Sequence, residues 1–215
     1  MDNVILNSYS KIPYLNVSRE TCNDLENLVS MILKKNKEIN IISKKIKEKS
    51  TIRDRHILDS AQIIDFIDLN TNTTCDLGTG GGMPGVIIAI IMKKIKKTMK
   101  INLYEKSYHK CVFLRDVSEK LNLNTEVIQK DIFTVKNIET GTIMTRAFKP
   151  LPVILNLVHQ NFVKYVNLIL FMGSSGRKIL NNTLNEWDLD YEEKKSLTNE
   201  DSFILNIKKI KKKNL

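Results

Sequence analysis

Cysteine is scarce in this sequence. The three cysteines among the 215 residues are Cys22, Cys75 and Cys111. They are too far apart for a C-x-x-C motif or for the usual spacing of zinc ligands, so we expect no metal site. Isolated thiols without a disulfide framework are typical of a reducing compartment, and we therefore expect a cytoplasmic protein whose cysteines are buried and unreactive.

Long apolar runs are also missing. No stretch reaches the roughly 18 residues that a transmembrane helix needs. Residues 1–10 lack the basic start and the apolar core of a signal peptide. Both observations predict a protein that makes no use of a membrane.

Acidic residues are in deficit. The sequence has 34 Lys and Arg against 24 Asp and Glu, which gives a net charge of +10. Such an excess favours a polyanionic partner such as nucleic acid. The chain is rich in Lys, Ile and Asn throughout, however, and that bias also follows from the base composition of a genome. The basic tail, residues 208–215, is equally consistent with an RNA contact and with a solvated end.

Glycine, in contrast, is concentrated in one stretch. Residues 75–85 read CDLGTGGGMPG and contain five of the eight glycines. Thr73 to Leu77 before them has the pattern of a short β-strand, and Val86 to Met92 after them is an apolar run. Strand, glycine-rich turn and helix predict the first βα unit of a doubly wound α/β domain. Glycine in such a turn lets the backbone approach a ligand closely.

Two nucleoside cofactors suit this turn. Gly80, Gly82 and Gly85 match the G-x-G-x-x-G pattern of dinucleotide sites. Asp76 would repel a pyrophosphate, but it suits the positively charged amino group of S-adenosylmethionine (SAM). Glu105, at the end of the next predicted strand, is placed to bind ribose hydroxyls of either cofactor. The residues favour SAM over NAD, and a purely structural turn is the third interpretation.

The order of the elements predicts the fold. From residue 71, strands and helices alternate about five times, and two late strands at 187–194 and 202–207 follow as an antiparallel pair. This order predicts an α/β domain with a mostly parallel, seven-stranded sheet. Two helices precede it, the first capped by Ser18 and the second begun by a capping box of Thr51 and Asp54. The expected divisions are a helical extension at 1–70, a cofactor-binding domain at 71–207 and the basic tail at 208–215.

Four polar residues outside the glycine turn are candidates for the site. His56 and Asp59 are neighbours on one helical face, which suits a catalytic pair and also a local hydrogen bond that fixes the helix. Asp131 follows the third strand, where it either meets a bound nucleoside or caps a turn. Arg146 ends the fourth strand, at the crevice where open α/β sheets bind their ligands, and its planar fork suits phosphate or carboxylate.

Several separated motifs together resemble the RsmG (GidB) family of bacterial 16S ribosomal RNA methyltransferases, which methylate N7 of one guanosine. The motifs are Asn36-Lys37 with Asn40, Arg55-His56-Ile57-Leu58-Asp59-Ser60, Asp76-x-Gly78-x-Gly80-x-Gly82-x-Pro84-Gly85, Phe113-Leu114 and Arg146-Ala147-Phe148. The resemblance implies a Rossmann-like class I SAM-dependent methyltransferase fold, SAM as cofactor, and 16S rRNA or the small ribosomal subunit as partner. We expect a monomer.

The resemblance also implies roles for single residues. The methionine side of SAM would lie at Gly78 and Met83, near Asp76 and Gly80, and the ribose at Glu105. Ile132 and Phe133, with Asp131 beside them, would flank the adenine. The catalytic candidates are Arg146, at the cofactor and the target guanine, and His56 and Asp59 on the helix over the site.

Two positions depart from the family pattern. Phe171-Met172-Gly173 lacks the lysine that the family usually has next to the glycine, and Phe133 occupies a position that is usually acidic. The first departure concerns the grip on RNA and the second concerns the polar contact to adenine. Three other functions stay open: a SAM methyltransferase with a small-molecule or protein acceptor, a non-catalytic RNA-binding protein and, disfavoured by Asp76, an NAD dehydrogenase.

Overall fold

The computed structural model describes residue 9 and residues 18–213. The first 17 residues of the predicted helical extension therefore lie outside the described residues, apart from Tyr9. Within the described part of the chain, no helix is both long enough and apolar enough to cross a membrane.

A seven-stranded sheet forms the centre of the molecule, with the strand order β3-β2-β1-β5-β7-β9-β8. Its strands are β1 Thr73–Leu77, β2 Lys100–Glu105, β3 Thr125–Gln129, β5 Thr142–Thr145, β7 Asn167–Met172, β8 Trp187–Lys195 and β9 Phe203–Lys212. Six of the strands run in the same direction, and only β9 runs in the opposite direction. The predicted sheet and its late antiparallel pair are confirmed. Two shorter strands, β4 Ile138–Glu139 and β6 Phe162–Lys164, form a separate parallel pair.

Helices cover both faces of this sheet. One face carries α1 Arg19–Lys35, α4 Gly85–Ile95 and α5 Tyr108–Lys120, and the other carries α6 Leu151–Asn161 and α7 Gly176–Thr183. Successive residues of β5 divide between the two cores, since Ile143 faces α6 and Met144 faces the other layer. This alternation is what a strand buried on both faces requires.

The N-terminal helices belong to the same core as the sheet. Residues Gly85 to Met92 of α4 are buried all round the helix, because α1 and its neighbours pack over the side that the sheet leaves open. This burial on all sides explains why the run after the glycine turn is continuously apolar, since a helix with one solvated face would show a polar stripe. Side chains such as Leu28 and Ile32 of α1 supply the cover.

The second predicted helix differs from its prediction. A single helical stretch runs through α2 Lys49–Ile52, a π-helical segment Arg53–Leu58 and α3 Asp59–Ala61. It begins after Glu48, without a side-chain capping bond, so the predicted capping box of Thr51 and Asp54 is wrong. Ser18, in contrast, caps α1 as predicted and accepts a hydrogen bond from the backbone N–H of Thr21.

The last strand is longer than predicted. β9 continues to Lys212, beyond the expected end at residue 207, and pairs with β8 along its whole length. In the register of this pair, Lys211 lies opposite Asp188 and Lys209 lies opposite Asp190. Most of the segment expected to be a tail is therefore part of the sheet.

Candidate active site

A cavity of about 540 Å³ opens where β1, β2, β3 and β5 end. The strand order reverses here, because β1 lies between β2 on one side and β5 on the other. Ligands of open α/β sheets bind at such a point, outside the carboxyl ends of the strands. Nine of the eleven predicted site residues line the cavity: His56, Gly78, Gly80, Met83, Glu105, Asp131, Ile132, Phe133 and Arg146.

The glycine turn forms the floor of this cavity. Gly78, Gly80 and Gly82 all have positive φ, at 65°, 59° and 91°. A Cβ on Gly78 would lie 2.1 Å from the ring of Phe148, and a Cβ on Gly82 would lie 2.4 Å from Val86. Larger residues are excluded at both positions by backbone geometry and by close packing. Gly80 is different, since the nearest atom to its Cβ position is 3.9 Å away.

Asp76 lies beneath the turn and is almost completely buried, with 1% of its surface exposed. Its Oδ2 accepts hydrogen bonds from the hydroxyl of Thr79 at 2.5 Å and from the backbone N–H of Gly85 at 2.8 Å. Its Oδ1 has no hydrogen-bond partner among the described residues. Burial raises the pKa of Asp76 to about 7, against the opposing effect of the two hydrogen bonds. Asp76 therefore fixes the turn from below, and its contact with a ligand stays a prediction.

Two of the other predicted acids, Glu105 and Asp131, bind backbone groups at the wall of the cavity. Glu105 accepts hydrogen bonds from the backbone N–H groups of Gly80 at 3.0 Å and Ser107 at 2.8 Å. Asp131 accepts from the backbone N–H of Phe133 at 3.2 Å and begins the 3-10 turn Ile132–Thr134. The capping interpretation of Asp131 is thus confirmed, and the residue lines the cavity as well.

Arg146 joins the sheet to the π-helical segment. Its guanidinium lies 2.9 Å from Oδ2 of Asp59, donates to the backbone carbonyl of Arg55 at 2.6 Å and lies 3.4 Å from Nδ1 of His56. The three catalytic candidates are therefore neighbours. No hydrogen bond joins the side chains of His56 and Asp59, so the predicted local hydrogen bond is wrong; both residues face Arg146 instead.

The charge states of this cluster follow from its burial. Burial lowers the pKa of His56 to about 4, and the positive charges of Arg146 and Arg55 lower it further in the same direction. The imidazole is therefore neutral near pH 7 and is a poor proton acceptor there. Burial also lowers the pKa of Arg146, while Asp59 opposes that effect. A guanidinium stays protonated even so.

The loop after α1 forms part of the wall of this cavity, which we did not predict from the sequence. The side-chain oxygen of Asn36 accepts hydrogen bonds from the backbone N–H groups of Ile41 at 2.9 Å and Ile42 at 3.0 Å. Both isoleucines line the cavity, and a Cβ on Gly81 would lie 2.6 Å from the side chain of Ile41. The Asn36-Lys37-x-x-Asn40 motif indicated that this loop matters, but the contact of the loop with the cavity could not be inferred from the motif.

Phe148 and a group of lysines were also missed. Ala147 has φ of +50°, and this turn places the ring of Phe148 against Gly78 and 6.1 Å from the ring of Phe133. The lysines that line the cavity are Lys106, Lys110, Lys130 and Lys149. They come from three separate connections of the sheet, so only the tertiary structure brings them together.

The cavity suits a nucleoside with a flat base. Ile132 and the partly exposed ring of Phe133 offer an apolar wall, Glu105 offers a carboxylate for hydroxyl groups, and Gly80 leaves room for close approach. The unpaired Oδ1 of Asp76 is a carboxyl oxygen without a partner under the turn. These features fit SAM. Among the described residues, no three His, Cys, Asp or Glu side chains are arranged to hold a metal ion.

Comparison with known proteins agrees with this geometry. The sequence profile of the GidB family, described as rRNA small subunit methyltransferase G, matches residues 21–206. This chain belongs to that family. A relative from Pelagibacter ubique (strain HTCC1062), named ribosomal RNA small subunit methyltransferase G, is 56% identical over 210 residues, which are 98% of this chain and 99% of the relative. The Bartonella henselae protein of the same name is 38% identical and covers 91% of this chain and 90% of its own.

The fold is shared with distant methyltransferases. A crystal structure of a SAM dependent methyltransferase from Aquifex aeolicus has a TM-score of 0.53 at 14% identity, over 76% of this chain and 95% of the other. The predicted family, the Rossmann-like methyltransferase fold and the predicted enzyme class, a SAM-dependent rRNA methyltransferase, are confirmed.

Proposed function

We propose that this protein transfers a methyl group from SAM to N7 of one specific guanosine in 16S rRNA. The observation that carries the proposal is the cavity itself. It joins the glycine turn, Glu105, the wall of Ile132 and Phe133, and Arg146 around one space at the reversal of strand order. Membership of the rRNA small subunit methyltransferase G family supplies the acceptor.

We assign different residues of the cavity to different parts of the cofactor. We assign the methionine part to Gly78, Gly80 and Met83, with the carboxyl group of Asp76 below them. Glu105 is assigned to the ribose hydroxyls. The adenine is assigned to the wall of Ile132 and Phe133, next to Asp131. The spacing of these groups around one cavity supports the assignment.

The reaction needs little acid–base chemistry from the protein. Bound SAM supplies a methyl group on a positively charged sulfur. Guanine N7 bears a lone pair and no proton, so its attack requires no general base. The neutral His56, with its lowered pKa, fits this demand. The main task of the chain is to hold N7 in line with the methyl group at close distance, which alone supplies much of a rate enhancement.

Arg146 is the residue best placed for that task. It lines the cavity and is itself held by Asp59 and by the carbonyl of Arg55. We assign it to a position beside both the cofactor and the target base, with His56 and Asp59 as the residues that set its orientation. A guanidinium held on two sides loses little freedom when it meets a ligand.

The basic mouth of the cavity suits RNA. Its four lysines would meet phosphate groups, so affinity should fall as salt rises. The target base must also be accessible or turned out of its stack, which costs a few kcal/mol. A monomer that acts in the cytoplasm, on 16S rRNA alone or within the small ribosomal subunit, completes the proposal.

Methyl transfer tests this proposal. Small subunits from a strain that lacks its own N7 methylation are incubated with the protein and labelled SAM, and N7-methylguanosine is mapped in the 16S rRNA. We expect one modified guanosine. SAM binding without transfer would point to another acceptor, and RNA binding without SAM binding would leave an RNA-binding protein that does not catalyse.

A further inference from the structure

A buried glutamine that belongs to none of the sequence motifs lies behind the Arg146 cluster. Gln62 follows directly after α3, and 0% of its surface is exposed. Glutamine is mostly found on protein surfaces, because a buried amide needs hydrogen-bond partners for both its nitrogen and its oxygen. The partners of Gln62 link it to the candidate active site.

The amide nitrogen of Gln62 binds Asp59. Its Nε2 donates to Oδ1 of Asp59 at 2.8 Å and to the backbone carbonyl of the same residue at 2.9 Å. The hydroxyl of Thr198 donates to the same Oδ1 at 2.7 Å. The other carboxylate oxygen, Oδ2, lies 2.9 Å from the guanidinium of Arg146. Gln62 and Thr198 therefore fix one oxygen of Asp59, while the other oxygen faces Arg146.

The amide oxygen of Gln62 binds the loop 196–202, between β8 and β9. It accepts a hydrogen bond from the backbone N–H of Leu197 at 2.8 Å. The same loop carries Thr198, the second donor to Asp59. One buried side chain thus holds both Asp59 and the loop that supplies the other donor to Asp59.

Arg146 is the end point of these contacts. It lines the cofactor cavity and also a second cavity, of about 520 Å³, which extends beyond the carboxyl end of β7. Gln62 lines neither cavity. An influence of Gln62 on the reaction must therefore pass through Asp59 and Arg146.

We propose that Gln62 is a positioning residue for methyl transfer, whose amide N–H orients Asp59 so that Asp59 in turn sets the position of Arg146. The inference rests on the proposed function, in which Arg146 lies beside the cofactor and the target base. The position requires a donor, because an acceptor would face the lone pairs of Asp59. A misplacement of about 1 Å that originates far from the chemistry can lower a rate about 100-fold.

The substitution Gln62→Glu tests the need for a donor. It keeps the size of the side chain and an oxygen for the N–H of Leu197, but it replaces Nε2 with a second oxygen. When protonated, this oxygen donates to Asp59 as the amide does, and when ionised it repels the carboxylate. Two carboxyl groups in contact share one proton, which they release as pH rises. The activity of Gln62→Glu should therefore fall with rising pH.

Charged groups around this pair influence the pH at which the proton is released. Two of them make direct contact, since Arg146 faces Asp59 and Lys194 donates to the backbone carbonyl of Gln62 at 2.8 Å. Both cations favour release at lower pH, so the assays cover a range from about pH 6 to about pH 8.5. The charged and titratable groups in contact with this network are Arg146, Lys194, Asp65, His56 and Arg55.

Asn206→Asp is the matched control. Asn206 of β9 is also buried, and its Nδ2 donates to a carboxylate oxygen of Glu192 at 2.7 Å. The change from amide to acid therefore brings two carboxyl groups together here as well. Within the described part of the chain, no hydrogen bond or ion pair joins Asn206 to Asp59 or Arg146. A loss of activity that comes from destabilisation alone would appear in both variants.

The kcat for methyl transfer to small subunits is measured at each pH, together with the Kd for SAM by calorimetry. We expect the kcat of Gln62→Glu to be within about threefold of wild type near pH 6 and about tenfold or more below wild type near pH 8.5. Asn206→Asp should stay within about twofold throughout, and the Kd for SAM should change less than about threefold in both variants. The ratio to wild type at each pH removes the effect of Asp76, whose pKa of about 7 lies in this range and which all three proteins contain.

Failure of this inference differs from failure of the proposed function. If wild type transfers no methyl group, the proposed function is wrong. If wild type transfers and the ratio for Gln62→Glu does not fall with pH, the inference is overturned. Inactivity of this variant at every pH, with a melting temperature above that of the assay, would overturn it too, as would an equal fall in Asn206→Asp.

Discussion

On the cofactor side of Arg146, a Cβ on Gly78, Gly81 or Gly82 would lie less than 3 Å from a neighbouring atom, whereas on the other side Gly173 borders open space. The cofactor side is built from backbone turns and buried groups such as Asp76 and Glu105. The other side combines buried residues such as Met172 and Phe203 with exposed or half-buried side chains of separate elements. We expect the small cofactor to bind at the first kind of site.

The largest effect is expected at Gly85. A Cβ there would lie 2.4 Å from Leu103 and 2.7 Å from Oδ2 of Asp76. Gly85→Val should lower the free energy of unfolding by about 3 kcal/mol, because a well-packed interior cannot take the added atoms. Urea unfolding measures this, with Gly173→Val as the matched control at the open position. Equal stability of the two variants would remove the contrast between the two sides.

The second largest effect is expected from the buried carboxyl of Asp76, which should make the free energy of unfolding depend on pH. Burial raises its pKa in the folded state to about 7, well above the ordinary value of 3.8 for an aspartate. The folded state therefore favours the neutral carboxyl group. The contribution of this group to the free energy of unfolding is largest at low pH and is lost as pH rises through about 7. The unfolding free energy of wild type minus that of Asp76→Asn should fall by about 2 kcal/mol between pH 5 and pH 8.

Denaturant titrations of both proteins at the two pH values check this. The contribution of His56 changes over the same range, but it cancels in the difference because both proteins contain it. A difference that rises with pH would mean that the carboxyl is ionised and stabilised in the folded protein.

A smaller effect is expected for Asp59→Asn. The substitution keeps the shape of the side chain and removes the charge that lies 2.9 Å from Arg146. We expect kcat to fall about tenfold, while the Kd for SAM changes less than about threefold, because Asp59 acts through Arg146. A larger change in Kd than in kcat would place Asp59 with the cofactor.

The smallest effect is expected from the lysines of β9. Lys209 and Lys211 lie opposite Asp190 and Asp188, so their charge is partly offset. Changing both to glutamine should alter RNA affinity by less than about twofold, since exposed charges that face acidic residues contribute little. The matched pair Lys130→Gln and Lys149→Gln, at the cavity mouth, should weaken binding more. A larger loss of RNA affinity in the β9 variant than in the cavity-mouth variant would mean that RNA binds at the β8–β9 end of the sheet.

Features with a local cause could be predicted from the sequence. The strands and the glycine turn follow from apolar patterns and from a backbone that only glycine allows. The extension of β9 could not, because lysines on an exposed edge resemble a solvated tail.

Contacts between distant parts of the chain were beyond prediction. Asp59 meets Thr198 across 139 positions of sequence. The ring of Phe148 reaches Gly78 only because Ala147 adopts positive φ. The His56 and Asp59 motif signalled importance, but their common partner, Arg146, was visible only in the fold.

The most direct test of the division between the two sides compares Gly78→Arg with Gly173→Arg in SAM binding by calorimetry. At Gly78 the φ of +65° and the ring of Phe148 leave no room for a side chain, whereas Gly173 is open. We predict no measurable binding by the first variant and wild-type affinity for the second. Unchanged affinity in Gly78→Arg would contradict the assignment of the cofactor to this turn.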